Sequence, residues 1–364
     1  MKRSPRTTRV TIRPVWSIQD ADGGPPLPER LLALLVQVQA QGSLLAACER
    51  LGMSYRHGWD LVRQGEAALD APLLHMARGK GSTLTPLGAQ LVWADHRITA
   101  RLGPVLDSLA CELAAGLSQA LGADPPQLRL HASHGFAVEA LVQALGRQGV
   151  TVERRYGSSV EAAAALHDGA CDLAGLHLPE GPLQAAALAH YAPWLGRPDW
   201  QLIDIATRRQ GLMLPAGNPA KLYELADLTR PGVRFINRQA GSGTRFLLEG
   251  LLAQAGVSPQ SIPGFEQGEF THAAVAAFVA SGMADVGFGL ETPARHFRLD
   301  FLPLASERYF LLCRASTLDT PALHAVLAVL RSAAFHAEVD ALPGYHAGRA
   351  GHVQALAAAF PPSR

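Results

Sequence analysis

The sequence lacks both a large net charge and paired cysteines, and each absence excludes a class of protein. Its 364 residues include 32 Lys and Arg against 31 Asp and Glu, a formal net charge of +1. A uniformly basic nucleic-acid binder is therefore excluded, because neutralising phosphates requires an excess of cations. The four cysteines form no C-x-x-C pair and have no histidine at zinc-ligand spacing. This predicts free thiols that are buried or partly buried, no metal site and no cofactor.

Long hydrophobic runs are also lacking. Every apolar stretch is interrupted well before the ~18 residues that a membrane span needs. The basic start MKRSPRTTRV is followed by polar, proline-containing sequence instead of the apolar segment of a signal peptide. We therefore expect a cytoplasmic protein with no membrane partner.

Recognised catalytic motifs are missing as well. The chain has no G-x-G-x-x-G, no H-E-x-x-H and no nucleophile elbow. His131, His134 and His167 have no paired carboxylates at an interpretable spacing, so they are expected to be structural or to line a ligand site. The sequence thus predicts no catalytic residues and argues against an enzyme.

Composition divides the chain into three parts. Apolar residues make up 48% of it, which excludes a mostly disordered protein. We predict a winged helix-turn-helix domain at 1–86, a linker and dimerisation helix at 87–124, and a two-lobed α/β domain at 125–364, with its second lobe at about 210–300. Residues 1–120 carry 13 Lys and Arg against 10 Asp and Glu, whereas the rest carries 19 against 21. That asymmetry has the sign expected if the first part binds DNA.

Two capping serines locate the helix-turn-helix. A helix opens at 28–30, Ser43 caps a short helix at 44–51, and Ser54 caps a third helix that runs to about residue 69. Two β-like runs, 73–76 and 82–84, then flank a turn with two cations and two glycines. A hairpin at this distance behind a helix-turn-helix is typical of a wing, although most isolated turns of this kind are only solvated.

The stretch GMSYRHGWDLVRQGEAALDAPLLHMARGKGSTLTPLGAQLV resembles the N-terminal domain of ModE-type molybdate-responsive regulators, relatives of the LysR-type winged-helix domains. The resemblance implies double-stranded promoter DNA as partner. It places Ser54, Tyr55, Arg56 and His57 at the exposed start of the recognition helix, Arg63 on its backbone-facing side, and Arg78 and Lys80 in the wing. Trp59 is expected to pack in the core, and His57 could be only a surface residue.

A long helix follows from Pro86 to about residue 122. Its apolar residues recur every three to four positions and form one stripe: Leu87, Leu91, Ile98, Leu102, Val105, Leu109, Leu113 and Leu117. Such a helix either packs on its own domain or pairs with its copy, and we favour a homodimer or a dimer of dimers because two DNA half-sites require a symmetric pair. Gly103-Pro104 is expected to kink or break it.

Strand and helix patterns alternate in the remaining chain. Strands are predicted at 127–135, 150–157 and 171–178, with helices at 137–145 and 160–166. A new run starts at 210–219 and leads through a helix to 233–239, a helix at 246–255, and further strand patterns ending at 289 and 314. This alternation predicts a parallel sheet in two lobes joined by two crossing segments, as in periplasmic-type solute-binding domains.

The segment RQAGSGTR, residues 238–245, is the strongest chemical feature. Small residues at a strand-to-helix turn expose backbone N–H groups, the helix dipole favours an anion, and two arginines can add charge-assisted bonds. It is not a nucleotide P-loop, because the G-K-[ST] ending is absent. The alternative is an ordinary serine cap with surface arginines.

That segment resembles the oxyanion-contacting S-G-T turns of phosphate-, molybdate- and tungstate-binding transport proteins. The resemblance implies an oxyanion site between the lobes, with molybdate or tungstate favoured and formate, phosphate or sulfate possible. Leu290-Glu291 follows the G-F-G strand where molybdate binders tend to have Tyr. The implied ligand residues are Ser133, Ser158, Ser159, Arg238, Ser242, Gly243, Thr244, Arg245 and Thr271.

Together these features predict an anion-sensing transcriptional regulator. By resemblance only, its targets would be molybdenum or tungsten uptake or a molybdenum-enzyme operon such as that of formate dehydrogenase. The alternative is a cytoplasmic solute-binding protein without promoter control.

Overall fold

A computed structural model describes residues 10–19, 23, 26–77, 81–122 and 126–360. The chain divides into two compact units. The first is Arg13–Leu102, and the main part of the second begins at Gly103. The division falls inside the long helix. The predicted boundaries at 86 and 124 stay a prediction.

The first unit begins with three helices, α1 (Leu31–Gln41), α2 (Leu44–Arg50) and α3 (Tyr55–Leu69). Ser43 caps α2 by accepting a hydrogen bond from the Ala46 N–H, and Ser54 caps α3 by accepting one from the His57 N–H. Both caps are confirmed.

An antiparallel hairpin follows, formed by β1 (Leu74–Ala77) and β2 (Gly81–Leu84). The Ser82 N–H donates to the Gly42 carbonyl, and the Ser82 hydroxyl accepts from the Leu44 N–H. The wing is thereby fixed to the connection between α1 and α2. Its tip, which includes the predicted DNA contacts Arg78 and Lys80, lies outside the described residues.

The next helix, α4 (Pro86–Ala120), is 35 residues long and continues through Pro104. The helix therefore does not break at Gly103-Pro104, and the alternative expectation of a kink stays a prediction. The Ser108 hydroxyl donates to the Pro104 carbonyl at 2.9 Å and accepts the Tyr156 N–H at 3.0 Å, which joins the C-terminal half of α4 to the second unit.

The second unit begins with an alternation of parallel strands and helices. This part and the C-terminal elements described below form what we name the first lobe. Its elements are β3 (Leu128–Ala132), α5 (Phe136–Arg147), β4 (Val152–Tyr156), α6 (Ser159–His167), β5 (Leu173–Pro179) and α7 (Gln184–Tyr191). β3 pairs in parallel with both β4 and β5, as predicted.

Two strands of 15 residues, β6 (Trp200–Leu214) and β10 (Asp300–Arg314), cross between the lobes and pair antiparallel along their whole length. The two crossing segments are confirmed, but the sheet is mixed and not wholly parallel. Both strands also begin earlier than the predicted 210 and 307.

The second lobe contains β7 (Phe235–Arg238), α8 (Gly243–Gln254), β8 (Gly268–Glu269), α9 (His272–Ala280), β9 (Val286–Leu290) and α10 (Glu291–His296). β7 pairs in parallel with β8 and β9, and β9 joins the sheet through β6. The helix expected between 219 and 233 is wrong: this segment holds only a short 3-10 turn, Leu225–Thr229.

The chain then returns to the first lobe, where α11 and α12 contact α5. The last elements are α11 (Pro321–Leu330), α12 (Ala333–Asp340), β11 (Tyr345–His346), β12 (Val353–Ala355) and α13 (Leu356–Ala359). Both short strands pair with β6. The predicted architecture, a winged helix-turn-helix, a long helix and a two-lobed α/β domain, is confirmed.

Within the described residues, no single helix has the length and apolarity to cross a membrane; two bent helix pairs, in α1–α2 and α11–α12, meet that test by length and composition alone. Cys48, Cys171 and Cys313 are buried, and Cys111 is half-buried.

Candidate DNA interface and effector site

The first predicted site lies on the outer face of α3. Ser54, Tyr55, Arg56, His57 and Arg63 are all exposed there. A surface that presents Arg, Tyr and His at a helix N-terminus supplies donors for phosphates and base edges. The structure thus brings together every nominated DNA residue that it describes.

The opposite face of α3 is buried because its small residues allow neighbouring helices to approach. Gly58 lies against Cys48 of α2, and Gly65 lies against Leu31 of α1; a Cβ at either glycine would collide with these side chains. Trp59 is half-buried against the same core, as expected, and the Arg63 guanidinium stacks over its ring at 5.5 Å. The recognition helix is therefore held by packing that leaves its polar face open.

In the second unit, polar side chains gather on one face of the crossing strands. The strand register places Glu307 opposite Arg208, and Tyr309 opposite His177. Glu307 is fully buried and accepts three hydrogen bonds, from His177 Nδ1 at 3.1 Å, Arg208 Nε at 3.1 Å and Gln210 Nε2 at 2.7 Å. This network joins three strands at the junction of the lobes.

The charges of this network compensate one another. Burial alone would raise the pKa of Glu307, but His177 and Arg208 outweigh it and bring that pKa to about 2. Burial would lower the pKa of Arg208, and the Glu307 charge reverses this and raises it. Both groups are therefore ionised at neutral pH, and their pair contributes no net charge.

The S-G-T turn faces this network from the second lobe. Ser242 caps α8 by accepting the Arg245 N–H, and the Thr244 hydroxyl accepts from Gln210 Nε2 at 3.2 Å. A cavity of about 270 Å³ lies between the turn and the first lobe. Its wall includes four nominated residues, Ser159, Ser242, Gly243 and Arg245, together with His177, Tyr191 and Glu307.

The two arginines of the segment have different surroundings. Arg245 donates to Glu249 at 3.0 Å and to both oxygens of Glu266 at 2.8 and 2.9 Å. Two carboxylates therefore already neutralise it. The Arg238 guanidinium donates to the backbone carbonyls of Glu269 and Phe270, and no carboxylate of the described residues forms an ion pair with it.

Arg238 does not line that cavity, but it is a half-buried cation without an ion pair among the described residues. Burial lowers its pKa to about 10, and the neighbouring Arg208 charge acts in the same direction. Burial, followed by Arg238 and Arg208, also holds the pKa of His272 well below its usual value. Burial lowers the pKa of His134 as well. The charge of Glu139 opposes this shift, and the charge of Arg238 adds to it. Arg208 and Arg238 thus place two positive charges in this region, and the ionised Glu307 forms an ion pair with Arg208.

The remaining predicted ligand residues differ from one another in burial and in hydrogen bonding. Ser158 is half-buried, and its hydroxyl is hydrogen-bonded to Glu161 in a capping box at the start of α6. Thr271 is buried and caps α9 through the Ala274 N–H. Ser133 follows β3, with its hydroxyl oxygen buried.

Residues 142–331 match the model of the PBP superfamily domain, which covers more than half of the chain. The chain belongs to the PBP superfamily. In addition, residues 30–89 match the model of the bacterial regulatory helix-turn-helix proteins of the lysR family. The chain therefore joins a LysR-type helix-turn-helix to a PBP domain.

Individual relatives are more distant. The chain is 33% identical over 204 residues to the uncharacterized protein YvgK of Bacillus subtilis (strain 168). The matched region is 55% of this chain and 64% of YvgK, so the chain spans less than two thirds of that relative. It is 36% identical over 81 residues to the molybdenum-pterin-binding protein MopB of Rhodobacter capsulatus, or 21% of this chain and 30% of MopB. The regulatory domain of MetR, a LysR family regulator from N. meningitidis, superposes with a TM-score of 0.43 at 12% identity, covering 60% of this chain and 96% of that one.

The PBP domain also contains polar residues that sequence reasoning missed, namely His177, Arg208, Gln210, Glu307 and Tyr309. A signal was present in the sequence. Arg208 and Gln210 are two residues apart in β6, and so are Glu307 and Tyr309 in β10, so each pair lies on one face of its strand. Buried polar residues at this spacing indicate a polar site on that face.

Proposed function

We propose that the chain is a DNA-binding transcription regulator of the LysR type whose PBP domain binds a small oxyanion, with molybdate or tungstate as the first candidates. The observation that carries the anion proposal is Arg238, a guanidinium at the junction of the lobes that is bonded only to backbone carbonyls. Arg238 is half-buried, and a partly desolvated cation without a counter-ion is costly, so an anion that binds beside it supplies a missing interaction. The name of MopB supports testing molybdenum first.

The regulator proposal rests on the two halves being joined in one chain. An anion that binds the closed lobes more tightly than the open ones shifts the population towards the closed form. We propose that this shift changes the spacing of two DNA-binding heads in a homodimer paired through α4, or in a dimer of dimers, within the cytoplasm. The proposed targets are genes for molybdenum or tungsten uptake or for a molybdenum enzyme.

Calorimetric titration of the full chain with molybdate, tungstate, phosphate, sulfate and formate tests the sensor. We expect at least one anion to bind and Arg238→Gln to weaken it by about 10- to 100-fold, since hydrogen bonds to a charged group contribute roughly 1.5–3 kcal/mol. Arg147→Gln is the matched control, because Arg147 lies exposed on α5 and pairs loosely with Glu338 at 3.5 Å. If no anion binds the wild-type protein, the sensor proposal is wrong.

Selection of binding duplexes from a random-sequence pool tests promoter recognition. We expect the wild-type protein to retain a defined sequence and to change its affinity for it when the bound anion is added. Failure to retain any sequence would instead favour a solute-binding protein without promoter control.

A further inference from the structure

A second cavity lies in the first lobe, apart from the cavity at the S-G-T turn. Its volume is about 620 Å³, against about 270 Å³ for the cavity at that turn. Its wall is formed by Arg331, which follows α11, and by residues 348–353, which connect β11 to β12. The two cavities share no lining residue, so a molecule bound in the second would leave the proposed oxyanion site free.

The connection between β11 and β12 has a fixed conformation because it docks on β6. The Gly351 N–H donates to the Asp204 carbonyl at 2.9 Å, and the Asp204 N–H donates to the His352 carbonyl at 3.0 Å. Ala347 and Ala350 are buried in the core of the lobe. The cations of this connection are therefore presented by an ordered segment, which reduces the entropy lost when a ligand binds.

Positive charge exceeds negative charge beside this cavity. Asp204 Oδ2 accepts a hydrogen bond from Arg308 Nη2 at 2.9 Å, and Arg349 Nε and His352 Nδ1 lie 3.3 and 3.5 Å from the same oxygen. Arg331 donates through its Nε to a backbone carbonyl and forms no ion pair with a carboxylate of the described residues. None of the described residues that line the cavity is acidic. Because Arg308 alone neutralises Asp204, Arg331 and Arg349 leave the wall with an excess of positive charge.

A turn in the same connection adds backbone donors. The Ala350 N–H donates to the Ala347 carbonyl at 2.8 Å, which closes a β-turn with Gly348 and Arg349 at its centre. The N–H groups of these two central residues have no hydrogen-bond partner in the part of the chain that the structure describes. Guanidinium groups and free N–H groups of a glycine-containing turn are the donors that phosphate groups bind.

We propose that this cavity binds the phosphate group of a small organic molecule, through Arg331, Arg349 and the N–H groups of the 347–350 turn. Cavities that bind organic ligands have volumes of roughly 300–1,000 Å³, so this one has room for the organic part as well as the phosphate. The site is independent of the proposed oxyanion sensor. It gives the regulator a second ligand, a phosphorylated metabolite.

Titration calorimetry of the full chain with adenosine 5′-monophosphate and with ribose 5-phosphate tests the site. We expect at least one of them to bind, and Arg331→Gln and Arg349→Gln each to raise its Kd by about 10- to 100-fold, the range for a hydrogen bond to a charged group. Arg155→Gln is the matched control, because Arg155 is exposed on β4 of the same lobe. Arg238→Gln, at the junction of the lobes, should also leave this Kd unchanged.

Thermal unfolding without ligand checks the fold of each variant. Arg349→Lys keeps the positive charge and should bind the phosphate more tightly than Arg349→Gln, which separates a lost contact from a loosened turn.

Four results would overturn the site. The first is that neither organic phosphate binds the wild-type protein, and the second is an equal loss in Arg155→Gln, which would indicate general attraction by surface charge. The third is a loss in Arg238→Gln, which would place the ligand at the junction of the lobes. The fourth is weaker binding of the selected DNA duplex by Arg331→Gln and Arg349→Gln, which would assign both arginines to DNA phosphates. The sensor proposal is tested separately, by the titration of the wild-type protein with inorganic oxyanions.

Discussion

The imidazole of His177 occupies the space that a side chain on Gly243 would need. A Cβ at Gly243 would lie 2.5 Å from His177 Cε1. His177 belongs to β5 of the first lobe, and Gly243 is the first residue of α8 in the second. Because His177 is fixed by its bond to Glu307 and by stacking on Tyr309 at 6.1 Å, the contact between the lobes depends on a glycine here.

Gly243→Ala should therefore weaken anion binding. Overpacking costs about 1–3 kcal/mol, so the closed arrangement becomes less populated and the apparent Kd should rise by roughly 10-fold or more. Titration calorimetry and thermal unfolding measure both effects. Gly146→Ala in α5 is the control, since a Cβ there meets nothing within 4 Å. Unchanged affinity in Gly243→Ala would contradict the steric argument.

Local signals account for what the sequence could predict of the fold. The caps at Ser43 and Ser54 depend on a few neighbouring residues, and so do the hairpin and the alternation of strands with helices in the first lobe. The start of β6 at Trp200 was missed because 200–214 extends across two lobes and its polar residues at 207–210 interrupt the apolar pattern. The helix expected between 219 and 233 fails where Pro231 and Gly232 end the segment.

The effector region was less accessible to sequence reasoning. The S-G-T turn is a contiguous motif and could be found, whereas Arg208, Glu307 and Tyr345 meet only through strand pairing over about 100 residues or more. The sequence also could not tell the two arginines of the turn apart. Arg245 is neutralised by Glu249 and by Glu266, which lies 21 residues further along the chain.

Arg56→Ala should reduce affinity for the selected DNA duplex without affecting folding, because Arg56 is exposed at the start of α3. If Arg56 contacts a base, we expect the binding free energy to fall by about 1–3 kcal/mol. If it contacts a phosphate, we expect the slope of log K against log salt concentration to become shallower by roughly 1. Fluorescence anisotropy at several salt concentrations distinguishes the two. Arg147→Ala in the PBP domain should bind DNA like the wild type, and an equal loss in both variants would contradict a specific contact.

Stability should fall as the pH drops below about 6.5, in part because of His272. Burial, Arg238 and Arg208 hold its pKa well below 6.5, and its Nδ1 accepts the Leu290 N–H, which requires a neutral ring. The unfolded chain then binds a proton that the folded chain does not, and one such proton changes the free energy of unfolding by at most about 1.4 kcal/mol per pH unit. Urea unfolding at pH 5, 6 and 7 should show a smaller pH slope for His272→Asn. An identical slope would exclude this histidine as a source.

Gly58→Ala should destabilise the helix-turn-helix by about 1–3 kcal/mol, because the new methyl group would collide with Cys48 Sγ. Cys48→Ala removes that sulfur, so the double variant should lose less than the sum of the two single variants. Hydrogen exchange of the α3 amides reports the local stability in the full chain. Additive losses would show that the two side chains do not compete for the same space.

The exposed stripe on the C-terminal half of α4 should form the dimer contact. Val105, Leu109, Leu113 and Leu117 are each 44–54% exposed, whereas Ser108 and Ala110 face the second unit. An apolar stripe at three- and four-residue spacing fits pairing with the same stripe of a second copy. Leu109→Glu with Leu113→Glu would place four carboxylates in that contact, and sedimentation equilibrium should then show monomers with weaker DNA binding. Gln119→Glu, at an exposed polar position of the same helix, should leave the mass unchanged; dimers that persist in the double variant would place the contact elsewhere.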